Sequence, residues 1–580
     1  MKENWNSKLG VILAVAGSAV GLGNFLKFPG LVAMYGGASF MIAYVCSFFL
    51  VGIPISIVEW TIGRKGGEYG CHSAAGVLGN LFNSKKLAYV GITGAVLTLI
   101  IYCYYIYIEA WCLGYAYHFL VGNMGFTSLE QSGGFFADFV GAKENGSAIS
   151  FSFDNVLVFY LISFIINFYI IYKGVSKGIE TFCKIAMPLL VVVGVVIVVR
   201  MMTLTDVSPE HPERSINQGL GFMWNPVKVE VVEQASPEAP FKKIMPIVGE
   251  AEIKKATAEV EKFNAKAKAE KSSVRREVKF ISVFEQLMNP SIWIAAAGQV
   301  FFSLTVGFTA IMTYASYLKR KDDVVLSAVS SCSTNEFFEV CLGGMITVPA
   351  AVAFFGVAGA IGAGLSLFDL GFKVLPLVFN KIPFGENFGF LFFFLLFISA
   401  VTSSISMLYP SVAYLEDVTH MRRKVSTPIL GLITFFVSLF VVYFSKDLKA
   451  MDTMDFWMGQ VAVYLIALLQ TILFAWFFGA EKGRLLANEG SLLKLPKAYA
   501  FVVKYITPVV LLAVFLFWIA KDVVGIVGDG NLSPYISDLI GDNPDDVACI
   551  SVVLIFAVYF FFALLMFTSR KFKNLEGGNS

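Results

Sequence analysis

Long apolar runs alternate with short polar breaks along the chain, and most runs are too long for strands or ordinary core helices. About twelve stretches reach or approach the roughly 18 apolar residues that mark a membrane-crossing helix. They lie near 9–33, 39–61, 87–121, 156–172, 179–203, 291–318, 330–358, 388–415, 427–444, 454–478, 500–525 and 545–568. The pattern predicts an all-α polytopic membrane protein with both termini on one side. One run violates its own rule: residues 17–29 read Gly-Ser-Ala-Val-Gly-Leu-Gly-Asn-Phe-Leu-Lys-Phe-Pro. Glycines interrupt helix where lipid forbids exposed backbone, and such breaks persist only where they line a protein-enclosed cavity. A polar ligand is expected there.

The loops set the orientation, because short cytoplasmic loops keep Lys and Arg. Basic clusters at Arg64/Lys65, Lys85/Lys86, Lys173/Lys177, Lys319–Lys321, Arg422–Lys424, Lys482/Arg484 and Arg570–Lys573 all fall on the side of the N-terminus. Both termini are therefore expected in the cytoplasm and the chain in the cell membrane. Composition agrees, with 57% hydrophobic and 15% charged residues. A net charge of +2 gives no reason to expect a nucleic-acid partner. The first apolar run continues past signal-peptide length, so it is expected to stay in the mature protein. The eight cysteines show no CxxC spacing and the four histidines are isolated, which suggests neither a metal centre nor a disulfide framework.

The spans divide the chain into 1–203 (helices one to five), 204–289 (an external loop with a helical insertion), 290–478 (helices six to ten) and 479–580 (helices eleven and twelve with a tail). Within the insertion, 204–248 reads as loop, with Asp206, Pro209, Pro212, Pro226, Pro237 and Pro240, whereas the Ala/Lys/Glu composition of 249–277 predicts a surface helix. A glycine-rich external stretch at 359–387 suits a lid. The sixth span repeats the interruption of the first: Thr305-Val306-Gly307-Phe308 has the small-Val-Gly-apolar shape of Ala19-Val20-Gly21-Leu22. Matching breaks in spans one and six point to a 5+5 inverted repeat with a binding site at the midplane. Polar residues in apolar context, among them Asn24, Gln299, Ser303, Asn335, Glu339 and Thr402–Ser404, offer oxygens suited to a hard monovalent cation.

These residues carry a resemblance. Trp5-x3-Leu9-Gly10, the Gly17–Pro29 run, Tyr104–Glu109, Trp293–Gln299, Tyr314–Tyr317, Thr402–Ser404, Leu415–Asp417 and Met454–Trp457 resemble the neurotransmitter:sodium symporter family, particularly its bacterial amino-acid transporters, over nearly the whole chain except 227–280. The family itself exemplifies the inverted-repeat rule. The resemblance implies two sodium ions as cofactors. The first would use Ala19, Asn24, Ser303, Asn335 and the substrate carboxylate. The second would use Gly17, Val20, Ser399, Thr402 and Ser403. For the substrate, it implies amides of Leu22 and Gly23 with the Tyr105 hydroxyl at the carboxylate. Carbonyls of Ala19, Phe302 and Ser303 with the Thr305 hydroxyl would take the ammonium. Ile101, Phe302, Phe308, Ser404 and Met407 would surround the side chain. Gly21 stands where monoamine carriers have an aspartate, which argues for an amino acid.

Further features follow from the resemblance. Glu339 occupies a position where chloride-dependent relatives have serine, so its carboxylate would replace chloride, near Tyr44, Gln299 and Ser303. Lys27 with Asp455 would form an outer gate above Phe302, and Lys2 with Asp417 an inner gate over Trp5 and Tyr317. Gly178 and Pro188 match a glycine-x9-proline pattern at which span five can unwind. Glu59 and Glu109 read as structural hydrogen-bonding groups. The expected function is sodium-coupled import of a neutral, hydrophobic L-amino acid, independent of chloride, with no enzymatic chemistry. A channel and a transporter-shaped nutrient sensor are the rival classes. The expected partners are the amino acid, sodium and the lipid bilayer; a homodimer is left open.

Overall fold

The computed structural model describes residues 5–205, 214–225, 228–236, 239, 241–247, 250–270, 272–363, 368–524, 532–569 and 572. Among them, nine helices are long and apolar enough to cross a membrane, and the bent pair Lys8–Ala19 and Gly23–Met34 makes a tenth span. The fourth span is the shorter helix Val156–Tyr172, and the sixth is split into Pro290–Ser303 and Ala310–Ala315. All twelve expected segments are thus present as helix.

The two breaks have different local causes. In the first span the helix stops at Ala19, Val20 turns to an extended conformation, and the chain resumes 47° away. Asn24 Oδ1 accepts the Gly21 N–H at 2.8 Å, so a side chain supplies what the interrupted helix no longer can. In the sixth span, Thr305, Gly307 and Thr309 all have positive φ (55°, 84° and 60°). At Gly307, φ is left-handed and a Cβ would stand 2.7 Å from the Val463 carbonyl, so only glycine is accommodated without strain. Glu59 holds this stretch from the second span: its Oε1 accepts from Gly307 N (2.8 Å) and Gln470 Nε2 (2.6 Å).

The frame around these broken helices is built from the third span (Lys85–Leu120) and the eighth (Gly385–Thr419), which lie against each other and are mostly buried. Their charged partners are internal. Glu109 accepts from Asn167 Nδ2 at 3.0 and 3.1 Å and from Ser404 Oγ at 2.5 Å. The segment expected as a lid contains Leu370–Asn380, whose Gly371 lies against Leu26 of the first span.

The insertion differs from the sequence reading. The expected helix is present, but the chain on either side of it forms a three-stranded antiparallel sheet ordered β2-β1-β3, with β1 Lys228–Gln234, β2 Lys242–Ile247 and β3 Arg275–Ile281. The helix spans Glu250–Ala269 and covers the sheet with Ala256 and Val260 on Val229, Val231 and Ile247. In β1 only Val229 and Val231 alternate onto this small core, and a bulge between Val231 and Val232 ends the alternation. At its base, Lys228 Nζ donates to the Tyr35 carbonyl (3.3 Å), and Ser39 Oγ donates to Gln286 (2.7 Å).

Candidate substrate and ion site

Both breaks and the middle of the eighth span converge. Ser403 Oγ donates to the Ser18 and Val20 carbonyls (3.2 and 3.3 Å), and Thr305 Oγ1 donates to the same Ser18 carbonyl (3.2 Å). One exposed carbonyl of span one therefore ties spans six and eight together. Sequence reasoning did not single out Ser18; its only signal was a place inside the broken run. Gly17 lies against Thr402, whose hydroxyl donates to the Ser399 carbonyl at 2.8 Å. Gly17, Val20, Ser399, Thr402 and Ser403 are thus brought to one place, rich in carbonyl and hydroxyl oxygen.

A second oxygen cluster lies on the other side of the break. Asn24 Nδ2 donates to Asn335 Oδ1 (2.8 Å), and Asn335 Nδ2 donates to Ser303 Oγ (3.3 Å) and Glu339 Oε2 (3.1 Å). Gln299 Nε2 donates to Glu339 Oε1 at 2.5 Å. All five side chains are buried. A carboxylate, three amides and a hydroxyl, with no basic side chain hydrogen-bonded to them among the described residues, suit a small cation better than an anion. Tyr44, the other expected neighbour, is also at hand: it donates to Glu336 Oε1 (2.7 Å), one helical turn before Glu339, and lies within hydrogen-bonding reach of Glu339 itself.

Between the clusters lies a cavity of about 10 Å³, the room of about one water, lined by Ser18, Ala19, Gly21, Tyr105, Ser303 and Met407 among others. Gly23, Phe302, Thr305, Phe308 and Ser403 complete the lining. Leu22 lines the neighbouring space on the far side of Phe302, and its N–H donates to the Tyr105 hydroxyl at 3.1 Å. Ile101 and Ser404 do not reach the lining: Ile101 is core, and the Ser404 hydroxyl is committed to Glu109. Gly21 is confined from both sides, since a Cβ there would sit 2.6 Å from Ser403 Oγ and 2.9 Å from the Tyr105 hydroxyl.

The two ends of this site are in different states. On the side away from the N-terminus, a cavity of about 610 Å³ carries Lys27, Asp369, Lys373, Asp452 and Asp455 and shares walls with the space above Phe302. The expected Lys27–Asp455 pair is not made. Lys27 Nζ instead lies over the Phe302 ring, 4.3 Å from its centre, and Asp455 accepts from Tyr104 (2.6 Å) and Gln460 (3.1 Å). On the N-terminal side the site is sealed. Trp5 donates to the Tyr314 carbonyl (3.2 Å) and packs edge-on against the Tyr314 ring rather than on Tyr317. Asp417 accepts from His72 N, Ser73 N and Ser73 Oγ at 2.8–2.9 Å. Lys2, its expected partner, lies outside the described residues.

The model of the sodium:neurotransmitter symporter family matches residues 2–208 and 276–559. The chain belongs to this family. The unmatched interval nearly coincides with the β-sheet insertion, so the symporter's membrane part is the family fold and the insertion is an addition. An uncharacterised sodium-dependent transporter of Methanocaldococcus jannaschii is 26% identical over 524 residues, covering 88% of this chain and 89% of that one. The mouse sodium- and chloride-dependent GABA transporter 2 is 22% identical over 90% of this chain and 80% of its own. The crystal structure of MhsT in complex with L-phenylalanine superposes with a TM-score of 0.68 and 26% identity, covering 89% of this chain and 99% of that one. The symporter is a sodium-dependent multi-pass membrane transporter with the 5+5 inverted repeat, and not an enzyme.

Proposed function

We propose that the symporter carries a neutral, hydrophobic L-amino acid with two sodium ions into the cell by alternating access and without chloride. The observation that carries this reading is Gly21. A side chain there has no room against Ser403 and Tyr105, and the Leu22 N–H and Tyr105 hydroxyl, bonded to each other beside it, are the groups a substrate carboxylate would take by exchanging that bond. A substrate side chain would meet Phe302, Phe308 and Met407, with no charged group among the lining residues, which disfavours a charged amino acid. MhsT, solved with L-phenylalanine, supports the same class.

Coupling follows from shared atoms. The Asn24–Asn335–Ser303 cluster would hold the first sodium, completed by the substrate carboxylate, so each cargo builds part of the other's site. The second would sit between Gly17 and Val20 of span one and Ser399, Thr402 and Ser403 of span eight, clamping the N-terminal half of the broken helix. Glu339, already hydrogen-bonded to Gln299 and Asn335, supplies a fixed negative charge beside the first ion, the role chloride would otherwise fill. The sealed Trp5 side and the open Asp455 side correspond to a state facing away from the termini; with the basic loops in the cytoplasm, that state faces outward. The wide helical turn at Val175–Glu180, ahead of Pro188, is where span five would loosen to admit water to the second ion.

The test is equilibrium binding of radiolabelled L-phenylalanine to the purified chain across sodium concentrations, with alanine, leucine, glutamate and phenethylamine as competitors. Neutral amino acids should compete, glutamate and the amine should not. Competition by phenethylamine equal to that of leucine would overturn the carboxylate assignment.

A further inference from the structure

The connection that leads from β3 into span six leaves large apolar side chains uncovered. Phe284 and Met288 are 82% and 80% exposed, and Phe280, near the end of β3, is 60% exposed. Three such groups on one short connection mark a contact surface, where scattered single ones would not.

Local geometry gives this surface a direction. Helix Val283–Leu287 is capped by Ser282, whose Oγ accepts from Glu285 N (3.2 Å), and Met288 keeps the helical conformation. Residues four apart share a helix face and residues two apart do not, so Phe284 and Met288 lie on one side and Gln286 on the other. Gln286 is buried and accepts from Ser39 Oγ (2.7 Å) at the start of the second span. Trp293 Nε1, near the start of span six, donates to the Leu287 carbonyl (2.8 Å). The short helix is thus fastened to the spans by one face and turns its phenylalanine and methionine away from them.

Two helices set its height. Span six runs from Pro290 to Ser303, just before its break, a rise of about 20 Å. In the second span Gly52 lies against Val300 and Leu304 at that break, and the helical chain from Ser39 to Gly52 rises by about 20 Å again. Both routes place the Gln286 anchor about 20 Å from the midplane break, within the headgroup layer, whose outer edge lies about 20–22 Å from the bilayer centre. At that depth an apolar side chain pointing away from the protein meets the boundary of headgroups and acyl chains. Glu285, next to Phe284, is paired with Lys279 at 2.9 Å, so its carboxylate does not face lipid phosphates uncompensated.

We propose that Phe280, Phe284 and Met288 form a lipid-inserting foot that rests the insertion on the bilayer leaflet away from the N-terminus. The uncovered face runs directly into span six, so the bilayer that surrounds the span also reaches the foot. Together with the Lys228–Tyr35 contact, the foot holds the insertion at two places.

The experiment uses the full chain in phosphatidylcholine nanodiscs, which leave both membrane faces open to solvent. Phe284→Trp adds one tryptophan to the eight present, and the difference from wild type isolates its emission. Phosphatidylcholine brominated near the ester end of its acyl chain should quench that emission at least about twofold more than lipid brominated near the methyl end, because an interfacial group sits only about 5–10 Å deep. Dissolved iodide should quench it at least about threefold less than free tryptophan. Met288→Trp repeats the measurement if Phe284→Trp does not fold. Iodide quenching equal to that of free tryptophan, with no effect of either brominated lipid, overturns the proposal. Emission shielded from iodide and from both lipids overturns it too, since a protein surface such as a second copy would then cover this face. Phe284→Asp should speed hydrogen exchange in β1–β3 at least about threefold in nanodiscs, whereas Ala258→Asp, exposed on the insertion helix, should not. Unchanged exchange in Phe284→Asp overturns the anchoring. None of these readouts requires sodium or a substrate, so they stand apart from the transport reading.

Discussion

Gly21→Ala is the smallest perturbation that probes the substrate site. The added methyl would stand 2.6 Å from Ser403 Oγ and 2.9 Å from the Tyr105 hydroxyl, both well inside van der Waals contact. Neither neighbour moves freely, since Ser403 is bonded to the Ser18 and Val20 carbonyls and Tyr105 to the Leu22 N–H. Overpacking at a well-packed position costs about 1–3 kcal/mol, or roughly 5- to 150-fold in an equilibrium constant. Here the displaced atoms are those that would hold the carboxylate and the second sodium, so the loss should appear in affinity for both. The assay is binding of L-phenylalanine across a sodium titration, with thermal stability measured on the same samples. Gly21→Ala should raise the apparent Kd for both ligands at least fivefold, and adding Ser403→Ala should recover part of it by removing the nearer contact. Wild-type affinity in Gly21→Ala, with the fold intact, would refute the claim that this glycine is there for space.

Other outcomes follow from the same geometry. Tyr105→Phe removes the acceptor of the Leu22 N–H, a hydrogen bond worth about 0.5–1.5 kcal/mol net, and should weaken substrate binding several-fold while leaving the fold in place; circular dichroism with the binding assay separates the two. Asn24→Ala and Thr402→Ala should each lower the sodium dependence of binding, and an unaltered dependence in either would remove that residue from its ion site. Glu339→Ser should make uptake chloride-dependent, measured by replacing chloride with gluconate. Lys228→Met removes the contact with the Tyr35 carbonyl and should loosen the insertion without unfolding the spans, read as faster hydrogen exchange confined to β1–β3.

Much of this was legible because the membrane makes a few residues decisive. Gly21 and Gly23 and the echo at Thr305–Phe308 fall at the observed breaks, whereas Gly17 stays within the helix that ends at Ala19. Asn24, Ser303 and Asn335 were visible as polar side chains in apolar surroundings, and the structure brings them together. What the sequence concealed was choice of partner. Ser404 could face either cavity or Glu109, and only the packing of spans three, four and eight assigns it to Glu109. Lys27 and Asp455 depend on the state of the gate, which sequence does not encode. In the insertion the helix was legible but the sheet was not, because a short strand between prolines has too few residues for its alternation to stand out.

The central claim is that a sodium gradient drives an amino acid through this site. Uptake of radiolabelled L-phenylalanine and L-leucine into proteoliposomes, with an inward sodium gradient and with potassium in its place, measures it most directly. The account predicts accumulation above equilibrium for at least one of these amino acids, lost with potassium and lost in Asn24→Ala. Equal uptake in sodium and potassium would contradict it.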